Sequence, residues 1–440
     1  MLPTLTGLAH NPSTSSLNPW IQATAIQSKL HGAAPSLLPL RQRNGACLRL
    51  GQQAKVGNMA ASAFPVPSSG ALFSIPPPVD SGRPGTVLEI LEQLQESRGD
   101  GEELMKKLAV SEEERPKVRY DEWTEMGEIP VIDLSLAETD RVGTVKQLYN
   151  AAAEWGFFQL VNHGLTVDEL GAVQSEGLKF FNLPAEIKQN LGSMGPEGRC
   201  YIGDNTHEKG SALHWAESLM FAPDNVDQTI SKIWPDGNSE FRNAVITFFK
   251  RAKFINEQLH ELLAEGLGLS TDLFSQHLDS KRARLRWNFY PACPRPSDVL
   301  GASSHTDGCS ITLLIQDKVG GLQIQKDGDW IGIKPIEGAL VVNVGDILHA
   351  WTNGIFKSVL HRVVVNESVH RFSLAAFMNV DKDLSITAPE ELVDDNHPRL
   401  YRPFTHGDYA THVVATRYRD QSMSASKDGL FLLDGFKIQK

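Results

Sequence analysis

The sequence predicts a mainly β fold with α segments, in which two sheets roll face to face and helices pack outside them. Three observations carry this. From Arg282 onward apolar and polar residues alternate in short runs between Gly, Asp and Asn turns, giving expected strands at 322–325, 330–333, 339–344 and 347–351. Upstream, the period is helical in 167–181 and above all in 239–266. There Val245, Phe248, Phe249, Ala252, Ile255, Leu259, Leu262 and Leu263 form one apolar stripe. Two β-branched runs, 303–315 and 358–365, read as core strands. Rolled sheets of this kind remove exposed edges and leave an interior able to hold a ligand.

In chain order, residues 1–79 contain no Asp or Glu but carry Lys29, Arg41, Arg43, Arg49 and Lys55, in a background of Ser, Thr, Ala, Pro and Gln. That is the composition of an organelle transit peptide, and the Ser content points to the plastid; a disordered extension is the alternative. Translation from Met59 would instead give a cytoplasmic product. Residues 80–128 form an acidic connector with a short helix opened by the capping box Thr86-x-x-Glu89, and 111–116 reads as exposed. A mixed α/β region follows over 129–280, with strands at 129–134 and 156–162 around a helix from Arg141 to Trp155. His163 has no ligand companion nearby and reads as structural. The rolled β domain spans 281–420, ending in a returning helix over 397–418. The tail 421–440 reads as unstructured or lid-like.

Composition narrows function. The 440 residues are 41% hydrophobic, enough for a sizeable core, and the net charge of −11 argues against nucleic acid or anionic membrane as the main partner. No apolar run approaches the ~18 residues of a membrane helix. Cys47, Cys200, Cys293 and Cys309 show neither disulfide nor metal spacing, which suits a reducing compartment.

The chemistry concentrates between Asn288 and Phe377. Residues i and i+2 of a strand share a face, so His305 and Asp307 are expected to project together near the start of the 303–315 run. His361 joins them only if its strand lies alongside. Two imidazoles and a carboxylate leave half an octahedron open, the facial arrangement used by non-haem Fe(II) oxygenases. Arg371 and Ser373 share the face of a later strand, and a guanidinium with a nearby hydroxyl can clamp a carboxylate. Each residue alone reads more readily as core or solvated edge; their ordered co-occurrence favours a site. A zinc hydrolase is a second reading, although it leaves Arg371 and Ser373 without purpose. A non-catalytic metabolite-binding or sensor protein is a third.

The same stretch, with Ile129-Pro-Val-Ile-Asp-Leu134, Gly156-Phe-Phe-Gln-Leu-Val-Asn-His-Gly164, Asn288-Phe-Tyr-Pro-Ala-Cys-Pro294, Gly320-Gly-Leu-Gln323, Val341-Val-Asn-Val-Gly-Asp346 and Thr352-Asn-Gly-x-x-Lys-Ser358, resembles the plant-type 2-oxoglutarate- and Fe(II)-dependent dioxygenases of flavonoid, hormone and specialised metabolism. The resemblance implies a double-stranded β-helix (jelly-roll) core, with His305, Asp307 and His361 on iron. It implies Arg371 and Ser373 on the distal carboxylate of 2-oxoglutarate, Asn288 and Tyr290 beside that co-substrate, and ascorbate as a supporting reductant. It further implies an enzyme that consumes O₂ and hydroxylates or desaturates a small, largely apolar metabolite, a flavonoid or other phenolic or a terpenoid hormone precursor, releasing succinate and CO₂; a monomer is the expectation for its assembly, which the sequence leaves open. Phe377 is the expected aromatic wall for substrate, with Arg199, Tyr201 and Trp215 expected at the mouth. Asn379 stands where some flavonoid-acting relatives carry Glu, which argues against an anthocyanidin synthase-like activity.

Overall fold

Two sheets and a helical layer account for the expected architecture, in a computed structural model that describes residues 105–106, 108–121, 129–189, 191, 201–202, 214–419 and 432–438. In chain order the elements are β1 (Val131–Asp133), α1 (Arg141–Asn150), β2 (Phe157–Val161), α2 (Val167–Phe181), α3 (Ala185–Gln189), β3 (Tyr201–Ile202), β4 (Glu217–Phe221), α4 (Val226–Ile233), α5 (Ser239–Gly266) and α6 (Asp272–Ser275). Then follow β5 (Arg284–Tyr290), β6 (Ala302–His305), β7 (Ile311–Gln316), β8 (Leu322–Lys326), β9 (Asp329–Gly332), β10 (Leu340–Val344) and α7 (Asp346–Trp351). The chain continues through β11 (His361–Val363), β12 (Arg371–Met378), β13 (Ser385–Ile386), β14 (Phe404–Thr405) and α8 (His406–Arg419).

The major sheet has eight strands in the order β1-β2-β10-β7-β12-β5-β4-β3, and the minor sheet four, β6-β11-β8-β9. Strand alternation gives the major sheet two chemically different faces. Leu285, Trp287, Phe289, Phe372, Leu374 and Ala376 point to the helical side and join one core with Val173, Phe180, Val245 and Phe248 of α2 and α5. Arg284, Arg286, Asn288 and Tyr290 point the other way, opposite Phe377, Ala375, Ser373 and Arg371 of β12. Tyr290 there packs with Ile324, Val363 and Val365 of the minor-sheet side. The ligand-bearing interior is therefore the polar face of a sheet whose stability comes from its greasy one.

Local chemistry places the helices. Thr166 and Glu169 close a capping box at the start of α2, Asn238 caps α5 through Phe241 N at 2.8 Å, and Gly156 ends the first helical stretch in the left-handed region at φ 64°. Asn353, also left-handed at φ 52°, turns its amide towards the carbonyls of Leu392, His397 and Pro398 and accepts from Leu400 N at 2.9 Å. The Thr-Asn-Gly turn thus ties the C-terminal run to the sheets.

Two expectations change, at 347–351 and in the tail, and two others gain detail. The 347–351 run is a helix: Ile347, Leu348, Ala350 and Trp351 are all buried, so burial on every side hides the period that would have told helix from strand. Strands from both sides of the 280/281 boundary share one sheet, β2 pairing with β10 and β4 with β5. The connector over 111–116 is exposed at 111–114 as expected and half-buried at Arg115 and Pro116; Arg362 donates to Glu114 O at 3.2 Å, and just beyond the connector Gln323 donates to Val118 O at 2.8 Å. Within the tail, residues 432–438 dock, with Leu432, Leu433 and Phe436 buried. Residues 1–79, the capping box at Thr86 and Arg199 lie outside the described residues.

Candidate metal centre and co-substrate site

His361 stands directly opposite His305 in the β6–β11 ladder. Asp307 does not share their sheet: β6 ends at His305, and Asp307 sits in the crossover that carries the chain to β7 of the major sheet. The expected strand alternation therefore is not what aligns His305 with Asp307; the crossover folds the carboxylate back over the pair. Asp307 Oδ1 lies 3.7 Å from His305 Nε2 and 3.6 Å from His361 Nε2. Ligand atoms of all three lie within 4.8 Å of one another, the one such group among the described residues. Ligands about 2.1 Å from one ion are roughly 3 Å apart when cis, so the set fits three positions of a single cation.

Each donor is oriented by a second contact. His305 Nδ1 bonds Ser303 O at 2.8 Å and His361 Nδ1 bonds Val359 O at 3.1 Å, which fixes the proton on Nδ1 and leaves each Nε2 lone pair for a metal. Asp307 Oδ2 accepts from Thr312 at 2.6 Å and Asn343 at 2.8 Å, leaving Oδ1 as the ligand atom. Burial alone would raise the Asp307 carboxyl, but His361, His305 and those hydrogen bonds outweigh it and hold it below the usual carboxylate range. Phe157 packs its ring against His361 at 5.3 Å, and His305 keeps about a third of its side chain exposed, so the site opens on the His305 side.

Along the inward face, Arg371 is 1% exposed, donates to Ser373 at 3.2 Å and Gln316 at 3.3 Å, and stacks its guanidinium 5.1 Å from the Tyr290 ring. Its Nε has no acceptor, and among the described residues it makes no ion pair. A buried guanidinium is costly unless an anion meets it, so the residues present fit a carboxylate ligand. Asn288 lies opposite Ser373 and accepts from Ser218 at 2.8 Å. Tyr290 occupies space that only a glycine at 301 leaves open; a Cβ there would lie 2.6 Å from the ring. Phe377 stands opposite Thr312, the residue that anchors Asp307, and is half-buried in an otherwise buried strand.

Two expected substrate contacts are core residues instead. Trp215 is 0% exposed and donates its indole to Pro291 O at 2.9 Å, and Tyr201 is 6% exposed with its ring 5.8 Å from Phe180. Their aromatic surface is consumed by packing. His163 is structural as expected, bonded to Gly338 O at 2.9 Å. Sequence reasoning missed Thr312, Asn343, Gln316 and Asp346. Asn343 carried a signal, being the one polar residue in the apolar run Leu340–Val344. Asp346 stood with Asn343 in the Val341–Asp346 motif, but with no role attached to it.

Two sheets enclosing a His-Asp-His set and a buried Arg that makes no ion pair among the described residues point to a non-haem metal-dependent oxygenase. Comparison with known proteins specifies it. Residues 282–380 match the 2OG-Fe(II) oxygenase superfamily, and residues 129–237 match the family described as non-haem dioxygenase in morphine synthesis N-terminal. Jasmonate-induced oxygenase 4 of Arabidopsis thaliana is 38% identical over 292 residues, covering 65% of this chain and 82% of the relative. Flavanone 3-dioxygenase 2 of Oryza sativa subsp. japonica is 34% identical over 300 residues, covering 68% and 86%. The crystal structure of JOX2 in complex with 2OG, Fe and JA superposes with a TM-score of 0.66 at 30% identity, covering 80% of this chain and 97% of that one. The chain belongs to the plant-type 2-oxoglutarate- and Fe(II)-dependent oxygenases and is a 2-oxoglutarate-dependent dioxygenase using Fe(II) and 2-oxoglutarate.

Proposed function

We propose that His305, Asp307 and His361 hold Fe(II), that Arg371 and Ser373 hold the outer carboxylate of 2-oxoglutarate beside Asn288 and Tyr290, and that the chain hydroxylates or desaturates a small, largely apolar plant metabolite. Bound Fe(II), with 2-oxoglutarate and O₂, supplies the oxidising power that no side chain carries. The protein's residues orient and exclude water. The observation that carries the substrate reading is Phe377, an inward aromatic with surface to offer beside the Thr312–Asp307 pair. Flavonoids, other phenolics and terpenoid hormone precursors are the classes that suit such a wall. The relatives' names, a flavanone dioxygenase and a jasmonate-induced oxygenase, support that range.

The test is anaerobic loading with Fe(II) and 2-oxoglutarate, then O₂ with a panel of flavonoids and diterpenoid acids, reading succinate. Succinate that rises with one class and falls in Phe377→Ala supports the reading; a loaded enzyme indifferent to the whole panel contradicts it. The acid-free first 79 residues support a plastid address. A fluorescent fusion of residues 1–79 that stays in the cytoplasm would dismiss it.

A further inference from the structure

Asp346 is a buried carboxylate, 1% exposed, on which three parts of the chain converge. Its Oδ2 accepts from Thr306 at 3.0 Å and from Tyr409 at 2.6 Å, and its Oδ1 accepts from Ser358 at 2.6 Å. Thr306 lies between His305 and Asp307, and Ser358 lies three residues before His361. The Asp346 backbone N–H donates to Asp307 O at 2.8 Å. One side chain therefore fastens both segments that supply the proposed iron ligands, and its third donor comes from helix α8.

Helix α8 is pressed onto the same loop. A Cβ on Gly308 would lie 2.8 Å from the Tyr409 ring, and His406 hydrogen-bonds the Gly308 backbone while accepting from Arg282 at 3.2 Å. Behind Tyr409 stands the docked tail. The Phe436 ring lies 4.4 Å from Phe404 and 6.3 Å from Tyr409, with the Arg402 guanidinium 4.9 Å from its centroid. Main-chain bonds from Arg402 N to Phe436 O and from Ile438 N to Leu400 O, each 2.9 Å, hold the segment in place.

We infer that residues 432–438 act as a clasp for the metal site, setting Tyr409 so that its hydroxyl holds Asp346 and, through Asp346, the His305–Asp307 and His361 segments. Tyr409 and Phe436 are positioning residues, acting on the ligand segments through Asp346. A buried carboxylate that loses a donor is left under-satisfied, and outer partners of ligand segments typically contribute about 10–100-fold to metal affinity. The inference rests on the ligand assignment proposed above.

The test is anaerobic Fe(II) titration of the full chain at saturating 2-oxoglutarate, read by the visible charge-transfer band and without turnover. Tyr409→Phe keeps the ring against Gly308 and removes only the hydroxyl; Phe436→Ala loosens the clasp from behind. Each is expected to weaken Fe(II) binding about tenfold, and the double variant no further than the weaker single, because both act along one route. Val173→Ala, on the helical side of the major sheet, controls for general destabilisation and is expected to keep parental Fe(II) affinity. Absence of the band in the parent overturns the ligand assignment and the clasp with it. A parental band, abolished in His361→Ala, with Tyr409→Phe and Phe436→Ala binding Fe(II) within twofold of the parent, overturns the clasp alone. So does a Phe436→Ala loss no larger than that of Val173→Ala.

Discussion

His305 and His361 face each other across one antiparallel ladder with ring centroids 4.2 Å apart, although 56 positions separate them in the chain. The pairing of β6 with β11 sets this juxtaposition. The third donor, Asp307, comes from a loop and so depends on what holds the loop.

Thr312 and Asn343 are that hold on the carboxylate itself. Thr312→Val removes the donor at 2.6 Å from Asp307 Oδ2 while keeping its volume in β7. Fe(II) affinity should fall about 10–100-fold, with the apo chain losing about 1–3 kcal/mol of stability. Titration of the charge-transfer band measures the first and a thermal scan the second. Undiminished affinity would mean that Asn343 alone orients Asp307.

Arg371 should be intolerant of Lys. An ammonium cannot make the paired bonds of a guanidinium or stack on Tyr290 in the same way. Losing one side of a buried charge pair costs about 2–5 kcal/mol, so the KM for 2-oxoglutarate should rise on the order of 100-fold in Arg371→Lys. Fe(II) affinity without co-substrate should not change. A parallel loss of both would place Arg371 among groups that shape the whole interior.

Gly301→Ala tests the packing behind the co-substrate. The added methyl would lie 2.6 Å from Tyr290 and 3.0 Å from Val365, so the ring beneath Arg371 must shift. Overpacking of this kind costs about 1–3 kcal/mol. The expected signature is a raised KM for 2-oxoglutarate at unchanged Fe(II) affinity. A wild-type KM would show that Tyr290 moves without consequence.

Acid should loosen the fold through two buried imidazoles. Burial lowers His260 from 6.5 to about 4, and burial together with Arg282 lowers His406 to about 4. Between those values the unfolded chain binds the protons and the folded chain does not. Their contribution is therefore complete above about pH 6.5 and is lost as pH falls towards 4. His260 also accepts from Ser310 at 2.6 Å, and protonation would set a donor against that hydroxyl. Thermal midpoints should drop from pH 7 to pH 5, and His260→Gln should flatten the slope. An unchanged slope in that variant would remove His260 from the account.

Much of this was legible in the sequence because strand periodicity is local. Arg371, Ser373, Ala375 and Phe377 had to share a face, and they do. The bounds of α2 and α5 followed from an amphipathic stripe that a single helix displays by itself. His305, Asp307, His361 and Arg371 were recognisable as a set from residue types and order. Tertiary structure alone decided the rest. It turned Asp346–Trp351 into a helix, buried Trp215 and Tyr201 as core, and carried Asp307 between sheets. It also brought Asn343 and Asp346 from one distant segment and Tyr409 from another to the ligand loop, beside Thr312 from the neighbouring strand. The physical reason is that backbone geometry fixes which way each side chain points within its own element. Which elements then meet is settled by long-range sheet pairing and burial, and neighbouring residues record neither.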